Sequence, residues 1–233
     1  MRKAYGDTKL FFDRIIALFG FIFILPLFLL ITILVAVDSK GPIIFKQKRI
    51  GKNGKEFNVL KFRTMTTTHE KHVISERVIS ENDRRVTRIG KFLRRTKMDE
   101  LPQLVNVIRG DMSLVGPRPL MPEYMDIIET WEMQKYYVRP GITGLAQVNG
   151  NGELSVQERS YYDVLYSRDA NMWLDIKILF KTIKVIFRGE KACLVNVPDE
   201  KIQELKDYYQ PTVVQDFDTF DNIGGEKWLK LLR

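Results

Sequence analysis

The sequence predicts an α/β fold that is mostly helical with a small β-hairpin. It predicts a membrane-associated monotopic arrangement, in which an N-terminal re-entrant hydrophobic helix and amphipathic interfacial helices hold one domain on one side of a bilayer. Three observations carry this. Ile15 to Val37 is a run of 23 residues without a charge, with Pro26 at its centre and basic residues on both flanks. An alternating stretch, Phe57 to Met65, follows the turn signal Ile50-Gly51-Lys52-Asn53-Gly54. From Trp173 to Phe187 apolar residues dominate, yet Lys177, Lys181, Lys184 and Arg188 recur at helical spacing as one basic stripe.

Of the 23 residues in the first run, 18 are Leu, Ile, Phe or Val, and that length reaches across a bilayer as a helix. Insertion gains about 5 to 11 kcal/mol, against a cost of about 3 for a proline inside the helix, so insertion wins. A cleaved signal peptide has a shorter apolar region, roughly 7 to 15 residues, and is set aside. Pro26 leaves two arms of 11 residues, each about 16 Å long and so half the hydrocarbon thickness. Arg2, Lys3, Lys9 and Arg14 precede the run, while Lys40, Lys46, Lys48, Arg49 and Lys52 follow it. The preference of basic residues for the cytoplasmic side applies to both flanks, which favours a chain that turns back at Pro26. An ordinary kinked transmembrane helix competes for the same residues.

With 45% hydrophobic and 28% charged residues, the chain of 233 supports one compact domain with appendages. The boundaries read as residues 1–40 for the membrane anchor, 41–190 for the body and 191–233 for an acidic tail. The formal charge is +8, but residues 196–233 carry eight acids and five bases, so everything before them carries +11. The body seeks anions: phospholipid headgroups, nucleotide phosphates or nucleic acid. Cys193 is the single cysteine, which excludes an internal disulfide framework and fits a reducing compartment.

Along the body, a period of two places Lys61 and Arg63 on one strand face and Leu60 and Phe62 on the other. The segment 66–85 is polar and weakly periodic. His69 and His72 lie in it without further ligands nearby, which reads as a solvated loop. A helix is expected to start near Asp99, because Leu101, Leu104, Val105 and Ile108 share a face, Pro102 is tolerated in the first turn and Gly110 suits the end. Gly116-Pro117-Arg118-Pro119 and Arg139-Pro140-Gly141-Ile142-Thr143-Gly144 read as rigid loops, with a helical stretch between them around Met125 to Tyr137. The tail sets Tyr208, Tyr209, Phe217 and Phe220 among Asp216, Asp218 and Asp221, to fold back on the basic body or to meet a partner.

Asp99 and Glu100 read locally as a helix cap and a first-turn acid. Arg94, Arg95 and Lys97 stand just before them and Arg109 and Arg118 follow, so phosphate is expected where the carboxylates lie. Acids among bases suit phosphoryl chemistry, since one carboxylate can attack phosphorus while its neighbour holds Mg²⁺ against a diphosphate.

The ordered segments Asp38-Ser39-Lys40-Gly41-Pro42, Gln47-Lys48-Arg49, Lys61-Phe62-Arg63-Thr64-Met65, Asp99-Glu100-Leu101-Pro102-Gln103-Leu104, Gly110 to Pro119 and Arg139 to Gly144 resemble the successive signatures of bacterial sugar transferases. These are the monotopic phosphoglycosyl transferases that start glycoconjugate synthesis on polyprenol phosphate. The resemblance covers about residues 10 to 190, the extent of a minimal catalytic unit, and makes 41–190 the catalytic domain. It implies a ping-pong reaction in which Asp99 attacks the sugar-linked phosphate of a UDP-sugar, UMP leaves, and polyprenol (undecaprenyl) phosphate takes the phosphosugar. By the same likeness Glu100 would ligate Mg²⁺, and Lys61, Arg63, Arg94 and Arg118 would contact phosphate or the active site. Asp163 and Asp175 match acidic positions near the family's site. The implied location is the cytoplasmic face of the bacterial inner membrane, with its phospholipids as partners and a homodimer or downstream glycosyltransferases as further candidates.

Two positions depart from the family pattern. Leu25-Pro26 stands where Ser-Pro is common, removing a hydroxyl that would satisfy a freed carbonyl. Asn151 follows Asn149-Gly150 where an arginine is common, removing a cation from the nucleotide or sugar. Two readings of other classes remain at this point. A non-catalytic membrane-tethered scaffold for glycan-assembly enzymes predicts no chemistry. Nucleic-acid binding lacks a recognisable module and leaves the apolar run without a purpose, so no nucleic-acid partner is expected.

Overall fold

The structure, a computed structural model, describes residues 2–66 and 83–209. The first element is one helix, α1 (Arg2–Asp38), which runs through Pro26 without interruption. The expected break is therefore absent; the helix absorbs the proline. The side chains of α1 divide into two faces at helical spacing. Asp13, Ala17, Ile31 and Val35 are buried against the rest of the chain, with Ile24 and Phe28 half-buried between them. The opposite face is bare, with Phe19 68%, Phe23 86% and Val37 83% exposed. Over the 34 residues Tyr5–Asp38 the helix is long and apolar enough to cross a membrane. A soluble protein does not leave a contiguous apolar face of this size in water, so α1 belongs to a membrane.

Both ends of α1 are fastened to the same body. Near its start, the Tyr5 hydroxyl donates to Asp175 at 2.6 Å, Lys9 pairs with Asp175, and Asp13 accepts from the Ser113 hydroxyl and the Leu114 N–H. At its end, the Arg63 guanidinium donates to the carbonyl oxygens of Val35 (3.1 Å), Ser39 and Pro42 (2.6 Å), and Asp38 accepts the Ile89 N–H at 3.0 Å.

The predicted hairpin is present: β1 (Ile44–Ile50) and β2 (Glu56–Phe62) pair antiparallel with Ile44 opposite Phe62 and Ile50 opposite Glu56. Asn53 at the turn holds φ +55°, a conformation asparagine tolerates better than most residues. The alternation of β2 works as expected at its end. Phe62 is buried, with its ring centroid 4.8 Å from that of Phe28, while Lys61 faces away.

Next come α2 (Arg88–Arg95) and α3 (Gln103–Arg109), which begins four residues later than expected. Gly110 ends α3 at φ +89°, the left-handed geometry that glycine adopts without strain. A second, unexpected sheet follows: β3 (Ser113–Val115) lies parallel to β4 (Gly141–Thr143). It brings the two predicted rigid loops side by side so closely that a Cβ on Gly141 would lie 2.0 Å from the Gly116 nitrogen. Between them the expected helix at 125–137 is a 3₁₀ segment, Thr130–Tyr137, closed by a reciprocal Glu129–Glu132 capping box.

The last elements are α4 (Val156–Asp169), α5 (Met172–Arg188) and α6 (Asp199–Tyr209). Helix α5 buries only Asp175 and Ile178, leaving Trp173 (74%), Phe180, Ile183 and Phe187 exposed beside the lysine stripe, which is the pattern of a helix lying on a membrane surface. Helix α6 packs Ile202, Leu205 and Tyr209 against Trp131 and Tyr162. From the stretch 191–209, Val197, Ile202, Leu205 and Tyr209 thus join a core cluster of the body, while most of residues 191–201 is exposed. His69, His72, Phe217, Phe220, Asp216, Asp218 and Asp221 lie outside the described residues.

Candidate active site

The acid pair is displayed by a tight local arrangement. Thr87 caps α2 by accepting the Gly90 N–H at 2.9 Å, and the helix ends at Thr96. Lys97 then takes φ +59°, reversing the chain into a 3₁₀ turn, Met98–Glu100. Met98 and Leu101 pack against the cluster of Ile31, Val35, Phe62 and Leu93. The turn is therefore gripped by the same apolar cluster that seats the C-terminal half of α1. Asp99 is not a helix cap: α3 starts at Gln103 after Pro102, with no side-chain cap.

Cations approach the pair from three elements. Lys61 Nζ on β2 lies 2.5 Å from Glu100 Oε1, and Arg118 in the loop after β3 lies 3.7 Å from the same oxygen. Arg94 on α2 donates to Thr64 Oγ1 at 2.9 Å and acts electrostatically on Asp99. The two acids respond in opposite senses. Burial raises the Asp99 pKa, and the neighbouring Glu100 charge adds to that, although Lys61, Arg94 and Lys97 oppose it. Burial also pushes Glu100 up, but the charges of Lys61 and Arg118 and the Lys61 hydrogen bond overcome it and hold the carboxyl at about 2. Two adjacent carboxylates with pKa values pushed apart suit a division of labour.

Asn106 fixes this geometry. It is fully buried in α3, accepts the Leu60 N–H at 3.0 Å and donates to the Asn58 carbonyl at 2.8 Å, so it pins β2 to α3 and sets Lys61 relative to Glu100. The sequence carries one signal for it: a polar residue on the core face of a short helix, beside Gln103 and Val107. A second partner is Glu190, which accepts from Lys97 Nζ and from Asn151 Nδ2, both at 2.8 Å, tying the segment after α5 to the turn that carries Asp99.

The structure brings Asp99, Glu100, Lys61, Arg94 and Arg118 together. It spends Arg63 and Asp175 elsewhere. Arg63 is 5% exposed, and its donors go to Ser39 and to the carbonyls of Val35, Ser39 and Pro42. The alternation argument failed there because β2 ends at Phe62, so Arg63 no longer follows the strand's facing. Asp175 accepts from Tyr5 and Tyr166, each at 2.6 Å, and from Lys9, fastening α1 to α4 and α5. Asp163 is buried in α4; burial, opposed by Lys135, the Arg118 N–H, Arg159 and the Arg118 charge, lifts its pKa to about 6. It stands behind the Arg118 loop and does not face solvent.

Among the described residues no group of three His, Cys, Asp or Glu side chains forms a metal cage. The acid pair alone matches how Mg²⁺ is usually held, by one or two carboxylates with the remaining positions filled by phosphate oxygens and water. A Glu100 that stays ionised well below neutral pH fits a ligand role.

The chain matches the family model described as bacterial sugar transferase over residues 4–189. It is 43% identical over 190 residues to a UDP-glucose:undecaprenyl-phosphate glucose-1-phosphate transferase of Xanthomonas campestris pv. campestris, covering 77% of this chain and 38% of that protein. A protein of the same name from Klebsiella pneumoniae is 44% identical over 186 residues, covering 76% of this chain and 39% of its own length. The undecaprenyl-phosphate galactose phosphotransferase of Salmonella typhimurium is 38% identical over 209 residues, covering 82% and 43%. The chain thus spans roughly two fifths of the length of these relatives.

Proposed function

The chain belongs to the bacterial sugar transferase family, and from that premise we propose that it transfers a sugar 1-phosphate from a UDP-sugar to polyprenol phosphate, the first membrane step of glycoconjugate assembly. The relatives named for glucose and galactose transfer to undecaprenyl phosphate support the reaction class. The observation that carries the reading in this chain is the acid pair on one turn, with Asp99 in a desolvated position and Lys61, Arg94 and Arg118 drawn in around it.

In the proposed reaction an Asp99 carboxylate oxygen attacks the sugar-linked phosphorus. A P–O bond forms, the bond from that phosphorus to the bridging oxygen of UMP breaks, and UMP leaves with the electron pair. An oxygen of polyprenol phosphate then attacks the same phosphorus, releasing the Asp99 carboxylate and leaving a polyprenol diphosphosugar. Burial strips water from Asp99 and makes its oxygen a better nucleophile once it is ionised. Lys61, Arg94 and Arg118 neutralise the phosphates and orient the phosphorus for attack. Glu100, together with the diphosphate, would hold Mg²⁺, which supplies positive charge to the departing UMP oxygens. Lys61 would share Glu100 with that ion.

The membrane arrangement follows the same reading. A helix whose two ends are both bonded to one body has both ends on one side of the bilayer, which supports a re-entrant path over a spanning one. Basic residues on both flanks support a reading in which that side is the cytoplasm, at the inner membrane.

The test is UMP release from a panel of UDP-sugars in the presence of polyprenol phosphate and Mg²⁺, with capture of a labelled phosphosugar on the protein when the lipid acceptor is withheld. Label on wild type and none on Asp99→Asn is the expected result. Label that persists on Asp99→Asn removes Asp99 as the nucleophile.

A further inference from the structure

Away from the acid pair, a cleft of about 240 Å³ opens between the hairpin turn and the end of α3, lined by Gly51, Lys52, Lys55, Phe57, Asp111 and Arg139. Two guanidinium groups meet at its edge. Arg139 Nε donates to the Gly110 carbonyl at 3.0 Å, and Arg14 Nη2 donates to the Arg109 carbonyl at 2.9 Å. Arg14 lies directly over Gly110, where a Cβ would sit 2.4 Å from its nitrogen, so only glycine at that position admits it. The two arginines are near enough for the Arg14 charge to oppose protonation of Arg139. Each spends one N–H on a helix-end carbonyl, and a guanidinium carries five.

The charge around the cleft is lopsided. Arg139, Lys52 and Lys55 line it and Arg14 stands over Gly110 at its edge, with Asp111 as the only acid among the described residues of its lining. Asp7 and Asp13 act on Arg139 from α1, but Asp13 is committed to Ser113, Leu114 and Lys9. None of the four cations pairs with Asp99 or Glu100. The position along α1 supplies the second half of the argument. Arg14 is the residue immediately before the uncharged run, and Phe11, Phe12, Ile15 and Ile16 beside it are exposed. The cleft therefore opens at the level where α1 passes from water into hydrocarbon, which is where headgroup phosphates lie.

We propose that this cleft binds the phosphate of an anionic phospholipid headgroup, with Arg14 and Arg139 as its forked donors and Lys52 and Lys55 as its outer charges. The proposal rests on the membrane reading of α1 and is independent of the sugar-phosphate chemistry. The bound lipid would fix the depth at which α1 enters the bilayer, through the same Gly110 that ends α3.

The experiment uses the full chain in nanodiscs of mixed phosphatidylcholine and phosphatidylglycerol, with retained lipid counted by native mass spectrometry. Wild type is expected to keep one phosphatidylglycerol. Lys55→Gln, at an exposed side chain, should lower retention about fivefold, and Arg139→Gln should lower it further. Lys184→Gln on α5 should leave it unchanged, and excess inorganic phosphate should not displace the lipid. Equal loss in Lys184→Gln means general surface attraction and overturns the site, as does full retention in both cleft variants. Displacement by inorganic phosphate reassigns the cleft to a free anion and overturns the lipid. Failure of the chain to enter discs overturns the membrane reading and the proposal with it. UMP release, measured on the same samples, tests the transferase reading separately.

Discussion

Three aspartates in this chain, Asp13 and Asp175 on one hand and Asp99 on the other, are removed from water on opposite terms. Asp13 and Asp175 are surrounded by donors: Asp175 takes two tyrosine hydroxyls and Lys9, and Asp13 takes a serine hydroxyl, a backbone N–H and Lys9. Asp99 is equally buried, yet among the described residues its carboxylate accepts no hydrogen bond, and its cationic neighbours act through charge alone. The first pair is spent on structure, joining α1 to β3, α4 and α5. Asp99 is left without a hydrogen-bond donor among the described residues, whereas its neighbour Glu100 is held by Lys61 and Arg118. Acidic residues at similar burial are thus distinguished by what satisfies them.

That contrast can be broken in four places, taken from the largest effect to the smallest. Asp99→Asn should lower UMP release by about a thousandfold or more while the melting temperature stays close to wild type, because no hydrogen bond to the carboxylate is lost. A melt that collapses with the activity would move Asp99 into the structural class. Asp175→Ala should do the reverse. Removing one partner from a buried ionic cluster costs about 3 kcal/mol or more, read as a fall in urea midpoint, with the start of α1 becoming open to limited proteolysis. Unchanged stability would mean that Tyr5, Lys9 and Tyr166 hold α1 without it.

Asp163 tests the same idea through pH. Its folded pKa of about 6 stands above the ordinary 3.8, so the folded state binds the proton more tightly. Its contribution is therefore most favourable below pH 4 and is lost as pH rises from about 4 through 6. Across that window the penalty is about 2 to 3 kcal/mol. Asp163→Asn should be the more stable form at pH 7.5, with the advantage gone at pH 4, as urea titrations at the two pH values would show. An advantage that grew on acidification would mean that the carboxylate is stabilised as the anion. The smallest effect is expected at Glu190→Gln, which weakens a half-exposed pair with Lys97 and should cost under about 1 kcal/mol in thermal unfolding.

Much of the charge cluster around the acid pair was legible in the sequence because most of its members are close in the chain. Asp99 and Glu100 are neighbours, Arg94 and Lys97 lie within one turn of them, and a period of two put Lys61 on the open face of β2. The structural bonding of Arg63 and Asp175, which the sequence did not foretell, has one physical cause. Long-range hydrogen bonds, 21 to 28 residues apart for Arg63 at the end of α1 and just beyond it, and 166 or 170 apart for Asp175 to α1, leave no trace in local pattern. The bonds that Glu190 makes to Lys97 and Asn151 were invisible for the same reason, while Asn106 left only the faint signal of a polar residue on a core face.

By itself, the sequence determined the elements: an apolar helix with basic flanks, a hairpin, a basic-striped surface helix, and two acids among cations. Each follows from periodicity or composition within a few residues. Only the tertiary structure decided which acids are satisfied and which are left desolvated, that both ends of α1 return to one body, and that Arg14 and Arg139 meet over Gly110. These depend on contacts between residues far apart in the chain, where geometry rather than residue type sets the local charge.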